Sequence, residues 1–278
     1  MRSVVLFVLF LLSGTGASIA SECAGHPEAL GTSRVLAVDP AEHPRVGTVQ
    51  YRETLPLDDH EVVLTFDDGP LPPYTTRILD TLASNCAKAT FFIVGRMADS
   101  SPQSVRRAHS EGHTIGTHTE NHPLNMASLS IEHAEREIGD GIASVTRALE
   151  GSAIPAPFFR IPGLARTEAI EKYLQAQGIM IWSADVIPDD WKQISPDQVI
   201  ERSLEGLERK EKGILLLHDI HERTAEALPK LLGKLKSAGF RIVHIVPVSA
   251  DRPETVTVPT QWVGPTEKKK LDPSTPTE

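Results

Sequence analysis

From residue 60 onward, short apolar runs alternate with longer amphipathic stretches. The apolar runs fall at 62–66, 89–94, 113–117, 157–160, 178–184, 213–217 and 241–246. Between them, 75–85, 101–111, 130–150, 167–177, 196–210 and 222–238 carry apolar residues at three- and four-residue spacing. The first set predicts buried strands and the second predicts helices. Gly112, Gly178 and Gly239 stand just past three of the helical stretches, where a left-handed residue closes a helix. Strands alternating with helices imply parallel pairing through right-handed crossovers. Seven such units fit one closed or nearly closed α/β barrel better than two separate domains.

The flanks read differently. Residues 21–58 show no sustained period and hold several Pro, Gly and His residues, which predicts a loosely structured N-terminal arm ahead of a catalytic domain at 59–248. Residues 249–278 are rich in Pro, Thr, Glu and Lys, the composition of a disordered tail. At the start, Arg2, an apolar run over 4–12 and small residues up to Ala20 describe a cleaved signal peptide over 1–20. That run is too short to span ~30 Å of hydrocarbon, and no later segment is apolar enough to cross a bilayer. The expectation is a secreted or periplasmic protein with no integral membrane segment after cleavage, and a monomer.

Charge and cysteine content refine this picture. The formal net charge of −9, one unit more negative once Arg2 is removed, argues against nucleic acid as a partner. Cys23 and Cys86 are the two cysteines; after export they could pair, and a buried free thiol at Cys86 is the alternative.

The first apolar run ends in Thr65-Phe66-Asp67-Asp68-Gly69-Pro70. Two adjacent carboxylates where a strand stops repel each other unless a proton or cation relieves them. Further on, His118-Thr119-Glu120-Asn121-His122 spaces two imidazoles four residues apart, and a single helical turn would set them ~5–6 Å from each other. One hard carboxylate, two imidazoles and a spare carboxylate to serve as base read as a mononuclear metal hydrolase. Later strand ends add Arg160, Asp185 and His218. Alone, each has a bland reading: turn and cap residues for the Asp pair, a surface arginine, loop solvation for Asp185 and Asp189-Asp190, a hydrogen-bonded core histidine. Together they fall at the carboxyl ends of five strands, the rim where α/β barrels build active sites. Packing does not explain that coincidence.

Thr65 to Pro70, His118 to His122, Arg160-Ile161-Pro162, Asp185 through Trp191 and Leu216-Leu217-His218 resemble, in order, the five motifs of the NodB-homology polysaccharide deacetylases, carbohydrate esterase family 4. The resemblance covers residues 60–247. It implies a distorted (β/α)7 barrel that removes acetyl groups from N-acetylhexosamine units of an oligo- or polysaccharide. By the same resemblance, Asp68, His118 and His122 would bind one divalent ion, zinc first, with cobalt or nickel as alternatives. Asp67 would be the general base, oriented and held ionised by Arg160. His218 would protonate the leaving amine, with Asp185 fixing its tautomer. The backbone N–H of Gly163 would help hold the oxyanion, and Trp191 and Leu216 would wall a pocket for the acetyl methyl.

Two departures from the family pattern stand out. Gly163 replaces the usual aromatic after the motif's proline, removing one wall of the sugar site. Four residues rather than two separate Asp185 from Asp190-Trp191, so the Trp191 assignment is open and Asp189 is an alternative partner for His218. With three Trp and three Tyr in the chain, and Trp262 in the expected tail, few stacking platforms remain, which predicts a short cleft. Two rival readings keep the barrel: a hydrolase of another linear or cyclic amide, and a non-catalytic glycan-binding relative. The presence of both Asp67 and His218 speaks against the second, since binding needs neither.

Overall fold

The computed structural model describes Cys23 and residues 28–151 and 153–264. Along them run β1 (Thr32–Val38), β2 (Arg45–Val46), β3 (Glu61–Asp67), α1 (Tyr74–Ser84), β4 (Thr90–Val94), α2 (Gly95–Ser100), α3 (Pro102–Ser110) and β5 (Thr114–Thr119). They are followed by α4 (Ile131–Ala148), β6 (Phe158–Phe159), α5 (Glu168–Ala176), β7 (Met180–Trp182), α6 (Pro196–Lys210), β8 (Gly213–His218), α7 (Glu222–Ser237) and β9 (Arg241–Pro247). The helices start where the sequence provides for it. Ser130 caps α4 through the His133 amide, and Ser195 and Gln198 form a reciprocal capping box at α6 with Pro196 in its first turn.

Every ladder between these strands is parallel, in the order β1-β9-β3-β4-β5-β6-β7-β2, with β8 also on β3. This is the α/β architecture of a distorted (β/α)7 barrel. The wall is thin between β7 and β8, where the single bridge Val186–Leu215 stands in for a ladder.

The period-2 alternation of a strand sorts side chains to its two faces. On β3, Val62, Leu64 and Phe66 join the outer core beneath the helices, whereas Val63 joins the inner core. On β8, Leu215 and Leu217 go outward and Ile214 inward. Continuing that alternation sends Thr65 and Asp67 on β3, and Leu216 and His218 on β8, toward the barrel's interior and mouth. Asp67 and His218 are direct neighbours in register. One strand pair therefore delivers a carboxylate and an imidazole side by side.

The flanks are more ordered than the sequence pattern suggests. Residues 21–58 were expected to form a loose arm, yet β1 pairs along β9, β2 pairs with β7, and Leu36, Val38, Leu55 and Leu57 fill the inner core. The apolar part of β1 is too short to show a period, and its partner lies some two hundred residues away. Trp262, placed by composition in a disordered tail, is 2 % exposed, packs in the same inner core and stacks on His43 with ring centroids 3.3 Å apart. Helix α2 also has no counterpart in the predicted pattern. Cys23 and Cys86 form a disulfide with Cα atoms 5.6 Å apart. The predicted signal peptide, and the tail beyond residue 264, lie outside the described residues. Among the described residues, no helix is long and apolar enough to cross a membrane.

Candidate active site

A cavity of about 520 Å³ opens at the carboxyl ends of the strands, lined in part by Asp67, Asp68, His118, His122, Gly163, Trp191, Leu216 and His218. Eight of the ten residues singled out from sequence thus share one cavity. Arg160 lies directly beneath it, and Asp185 does not line it.

Asp67 ends β3, and the chain turns at Asp68 with φ 78°. Gly69 is required in the turn. A Cβ there would lie 2.1–2.4 Å from the carboxylate of buried Asp219. Arg160, fully buried, donates from Nη1 to Asp67 Oδ1 at 2.6 Å and to Thr65 Oγ1 at 2.8 Å. Its other nitrogens donate to the carbonyls of Ser183 (2.9 Å) and Trp182 (3.4 Å), and its guanidinium lies 4.3 Å from the Phe92 ring centre. Complete burial lowers its pKa from the ordinary arginine value, although Asp67 opposes the shift. The other bonds of Arg160 hold the guanidinium in place, and Nη1 fixes Asp67 Oδ1.

His118 and His122 do not share a helical turn. His118 lies in β5, and the chain then passes through left-handed conformations at Thr119 (φ 101°) and His122 (φ 58°). These bring the rings to 4.9 Å, a spacing close to the helical one by a different route. A β-branched residue at positive φ is costly and persists only when its surroundings hold it. Here Glu137 on α4 accepts from the amide and side chain of Asn121, both at 2.9 Å, and the His122 amide donates to Thr119 Oγ1 at 3.1 Å. His118 Nδ1 hydrogen-bonds the Arg160 carbonyl, a pairing supplied by the Thr117–Phe159 register of β5 and β6. That bond fixes the proton on Nδ1 and leaves the Nε2 lone pair free.

Both Nε2 atoms face Asp68 Oδ1, His122 at 3.1 Å and His118 at 3.4 Å. Yet Asp68 Oδ1 is buried without a hydrogen bond. One ligand atom from each of the three residues lies within 4.8 Å of the others. Burial works against the Asp68 charge, but the two imidazoles outweigh it and hold the carboxyl well below the usual carboxylate range. An orphaned carboxylate oxygen facing two ring nitrogens is the donor set of a divalent cation that accepts mixed N and O ligands, and the residues fit such an ion.

At the other side of the cavity, His218 Nδ1 pairs with Asp190 Oδ1 at 2.6 Å. Fully buried Asp190 also accepts from the His218 amide (2.8 Å) and the Thr224 hydroxyl (2.6 Å) on Oδ2, and its carbonyl accepts from Arg223. Burial disfavours a charge on His218. The Asp190 hydrogen bond and charge, with Asp68 and Asp67 behind them, overcome this and raise its pKa to about 9. Trp191 stands edge-on to the ring at 5.8 Å.

Asp185, expected to be the partner of His218, is not. Its carboxylate accepts from the Thr48 amide (2.8 Å), the Thr48 hydroxyl (2.6 Å), the Thr54 hydroxyl (2.6 Å) and the Ile214 amide (2.8 Å), all at the thin part of the wall. Asp189, the alternative partner, reaches Lys192 and Arg202 instead. The connection after β7 holds Asp185 and Val186 beside Ile214 and Leu215, and Asp190, five residues after Asp185, is the one that reaches His218. Proximity of Asp190 to Trp191 in the sequence was the available signal.

Two further residues escaped the sequence reading. Asp219 follows His218 into the interior, accepts from Thr75 at 2.6 Å, and is pushed up to about 7 by burial. His221 lines the cavity, with its ring 5.9 Å from that of His218.

A family profile described as polysaccharide deacetylase matches residues 55–182. A peptidoglycan-N-acetylglucosamine deacetylase of Bacillus cereus is 33 % identical over 196 residues, covering 69 % of this chain and 89 % of that protein. A chitooligosaccharide deacetylase of Rhizobium leguminosarum bv. trifolii is 31 % identical over 201 residues, covering 66 % and 90 %. Among solved structures, a peptidoglycan deacetylase of Bdellovibrio bacteriovorus superposes with TM-score 0.70 at 28 % identity, over 78 % of this chain and 60 % of that one. With the five motifs, the parallel barrel and these relatives in agreement, the chain belongs to the polysaccharide deacetylase family of carbohydrate esterases.

Proposed function

We propose that this protein hydrolyses acetamido groups on N-acetylhexosamine units of a glycan outside the cytoplasm, of peptidoglycan or chitin-oligomer type, using one divalent metal ion. The observation that carries the reading is the placement of Asp67 and His218 on adjacent strands, facing one cavity beside the Asp68–His118–His122 cluster.

Amide hydrolysis needs an activated water, a site for the developing oxyanion, and a proton for a poor leaving group. Asp68, His118 and His122 would hold the ion, and zinc is our assignment. Bound there, it would lower the pKa of a coordinated water and polarise the carbonyl. Asp67, aimed by Arg160, takes the proton from the attacking water as its oxygen bonds to the carbonyl carbon. The Gly163 amide, in a turn with φ 57°, supports the oxyanion. His218 keeps Nδ1–H on Asp190, and its Nε2 proton passes to the nitrogen as the carbon–nitrogen bond breaks. Acetate and a free amine result. A pKa raised to about 9 keeps His218 protonated at neutral pH, as a general acid requires. Asp190 takes the orienting role that the family resemblance had suggested for Asp185.

The test is acetate release from N-acetylglucosamine oligomers and from peptidoglycan by metal-stripped full-length protein, with and without added zinc. Zinc-dependent acetate is expected, and the ratio of the two rates ranks the substrates. Silence on both, with one zinc bound per chain, would point to a binding role and overturn the reading.

A further inference from the structure

Among the described residues, six titratable side chains line the active-site cavity: Asp67, Asp68, His118, His122, His218 and His221. The first five are committed to the metal cluster, the base and the acid. His221 is not. It stands in the connection from β8 to α7, and its ring centre lies 5.9 Å from that of His218, with the two planes inclined by 56°. Its backbone is fixed where α7 begins, because its carbonyl accepts from the Thr224 and Ala225 amides, both at 3.2 Å. Thr224 in turn donates its hydroxyl to Asp190, the carboxylate that holds His218. Asp190 therefore ties both imidazoles to one frame. The His221 side chain does not cap α7, and among the described residues it makes no hydrogen bond. Burial holds its pKa below the ordinary histidine value; the charges of His218 and Arg223 act the same way, against those of Asp190 and Asp68. The ring is therefore neutral at neutral pH, with one nitrogen donating and the other accepting.

Resting on the deacetylase reading above, we infer that His221 is a specificity-determining residue: its ring hydrogen-bonds a hydroxyl of the same amino sugar whose nitrogen His218 protonates. Sites for polar ligands set a few convergent polar groups in a mostly apolar lining, and those groups fix orientation. Much of this lining is aliphatic, from Leu124, Ile161, Leu164, Ile187, Leu216 and Ile220. A hydroxyl both donates and accepts, which matches a neutral imidazole in either tautomer. At a centroid spacing of 5.9 Å, the two rings can bond different substituents of one sugar without competing for the same atom. An amide of a plain alkyl amine offers His221 no partner, and it displaces the water that the ring would otherwise bond. The residue thereby favours amino sugars over other N-acetylated amines.

The experiment is steady-state kinetics of zinc-loaded full-length protein and three variants, reading free amine. The substrate is N-acetylglucosamine tetramer or soluble peptidoglycan fragments, whichever the parent cleaves faster. His221→Phe keeps the bulk of a ring and removes its hydrogen bonds. Its KM should rise about fivefold to tenfold, the worth of one neutral hydrogen bond, with kcat within about twofold and the alkaline limb of the pH profile in place. His221→Gln and His221→Asn set an amide near Nε2 and Nδ1 respectively, and one of them should bring KM back to within about twofold of the parent. A KM for His221→Phe that stays within about twofold of the parent would overturn the inference. So would a loss confined to kcat or a shifted alkaline limb, either of which would make His221 a partner of His218. A KM raised equally in all three variants would also overturn it, by assigning the loss to shape. No amine release by the zinc-loaded parent from either glycan would overturn the deacetylase reading and this inference with it.

Discussion

Asp185 and Asp190 leave the same connection after β7, five residues apart, and both are buried. Asp185 is saturated by four donors, two from Thr48, one from Thr54 and one from the Ile214 amide, and it ties the N-terminal segment across the gap between β7 and β8. Asp190 gives one oxygen to the backbone of His218 and to Thr224, and keeps the other for the His218 ring. The difference shows what separates a structural carboxylate from a working one. Neither residue type nor burial distinguishes them. What matters is whether one oxygen is left to a group that changes protonation at the cavity.

Substitutions to asparagine sharpen this comparison, because they keep shape while removing charge. Asp67 is buried as well, and unlike Asp185 it lines the cavity. Asp67→Asn should lower kcat by ~10³-fold or more, at the upper end of what a lost general base costs, while leaving the affinity for added divalent metal unchanged because Asp68, His118 and His122 are intact. A rate within tenfold of the parent would remove Asp67 from the base role.

Asp190→Asn should come next, with a loss of ~10²-fold in kcat and a shifted pH profile. The folded protein holds His218 at about 9, above the ordinary histidine value of 6.5. The pair's stabilisation is therefore fully present below about 6.5 and is lost as pH rises through about 9. Activity that needs the protonated ring should follow the same course and fall above pH 9. In Asp190→Asn, with the main raising cause gone, the alkaline limb should move to lower pH. If that limb stays in place, Asp190 is not what tunes His218.

Asp185→Asn should leave kcat of the folded enzyme within about threefold and reduce stability by about 2–4 kcal/mol, since an amide nitrogen would face donors in a buried site. Urea unfolding together with single-turnover rates separates the two effects. A large kcat loss at unchanged stability would reverse the assignments of Asp185 and Asp190.

Much of this was legible in one dimension. Apolar runs located the strands β3 to β9 and the rim at their ends, and amphipathic stretches located all their helices but α2, because strand and helix periods are local properties. Asp67, Asp68, His118, Arg160 and His218 were singled out for the same reason, each standing at or next to a strand end, and His122 through its four-residue spacing from His118. What escaped depended on distant partners. β1 shows too short an apolar run to declare itself without β9, and Trp262 looks like tail until the inner core accepts it. His118 and His122 meet through left-handed backbone at Thr119 and His122, a conformation that Glu137 on α4 supports and that spacing alone could not show.

The sequence by itself determined the α/β class, the succession of strands from β3 to β9 along the chain and the rim at their ends, since alternation and periodicity are written residue by residue. Tertiary structure alone decided which aspartate holds His218, which one seals the wall, and which apolar side chains line the cleft. Those outcomes depend on where loops of unequal length return and which donors reach a carboxylate first. A hydrogen bond is settled within a few tenths of an ångström, far finer than any spacing along the chain.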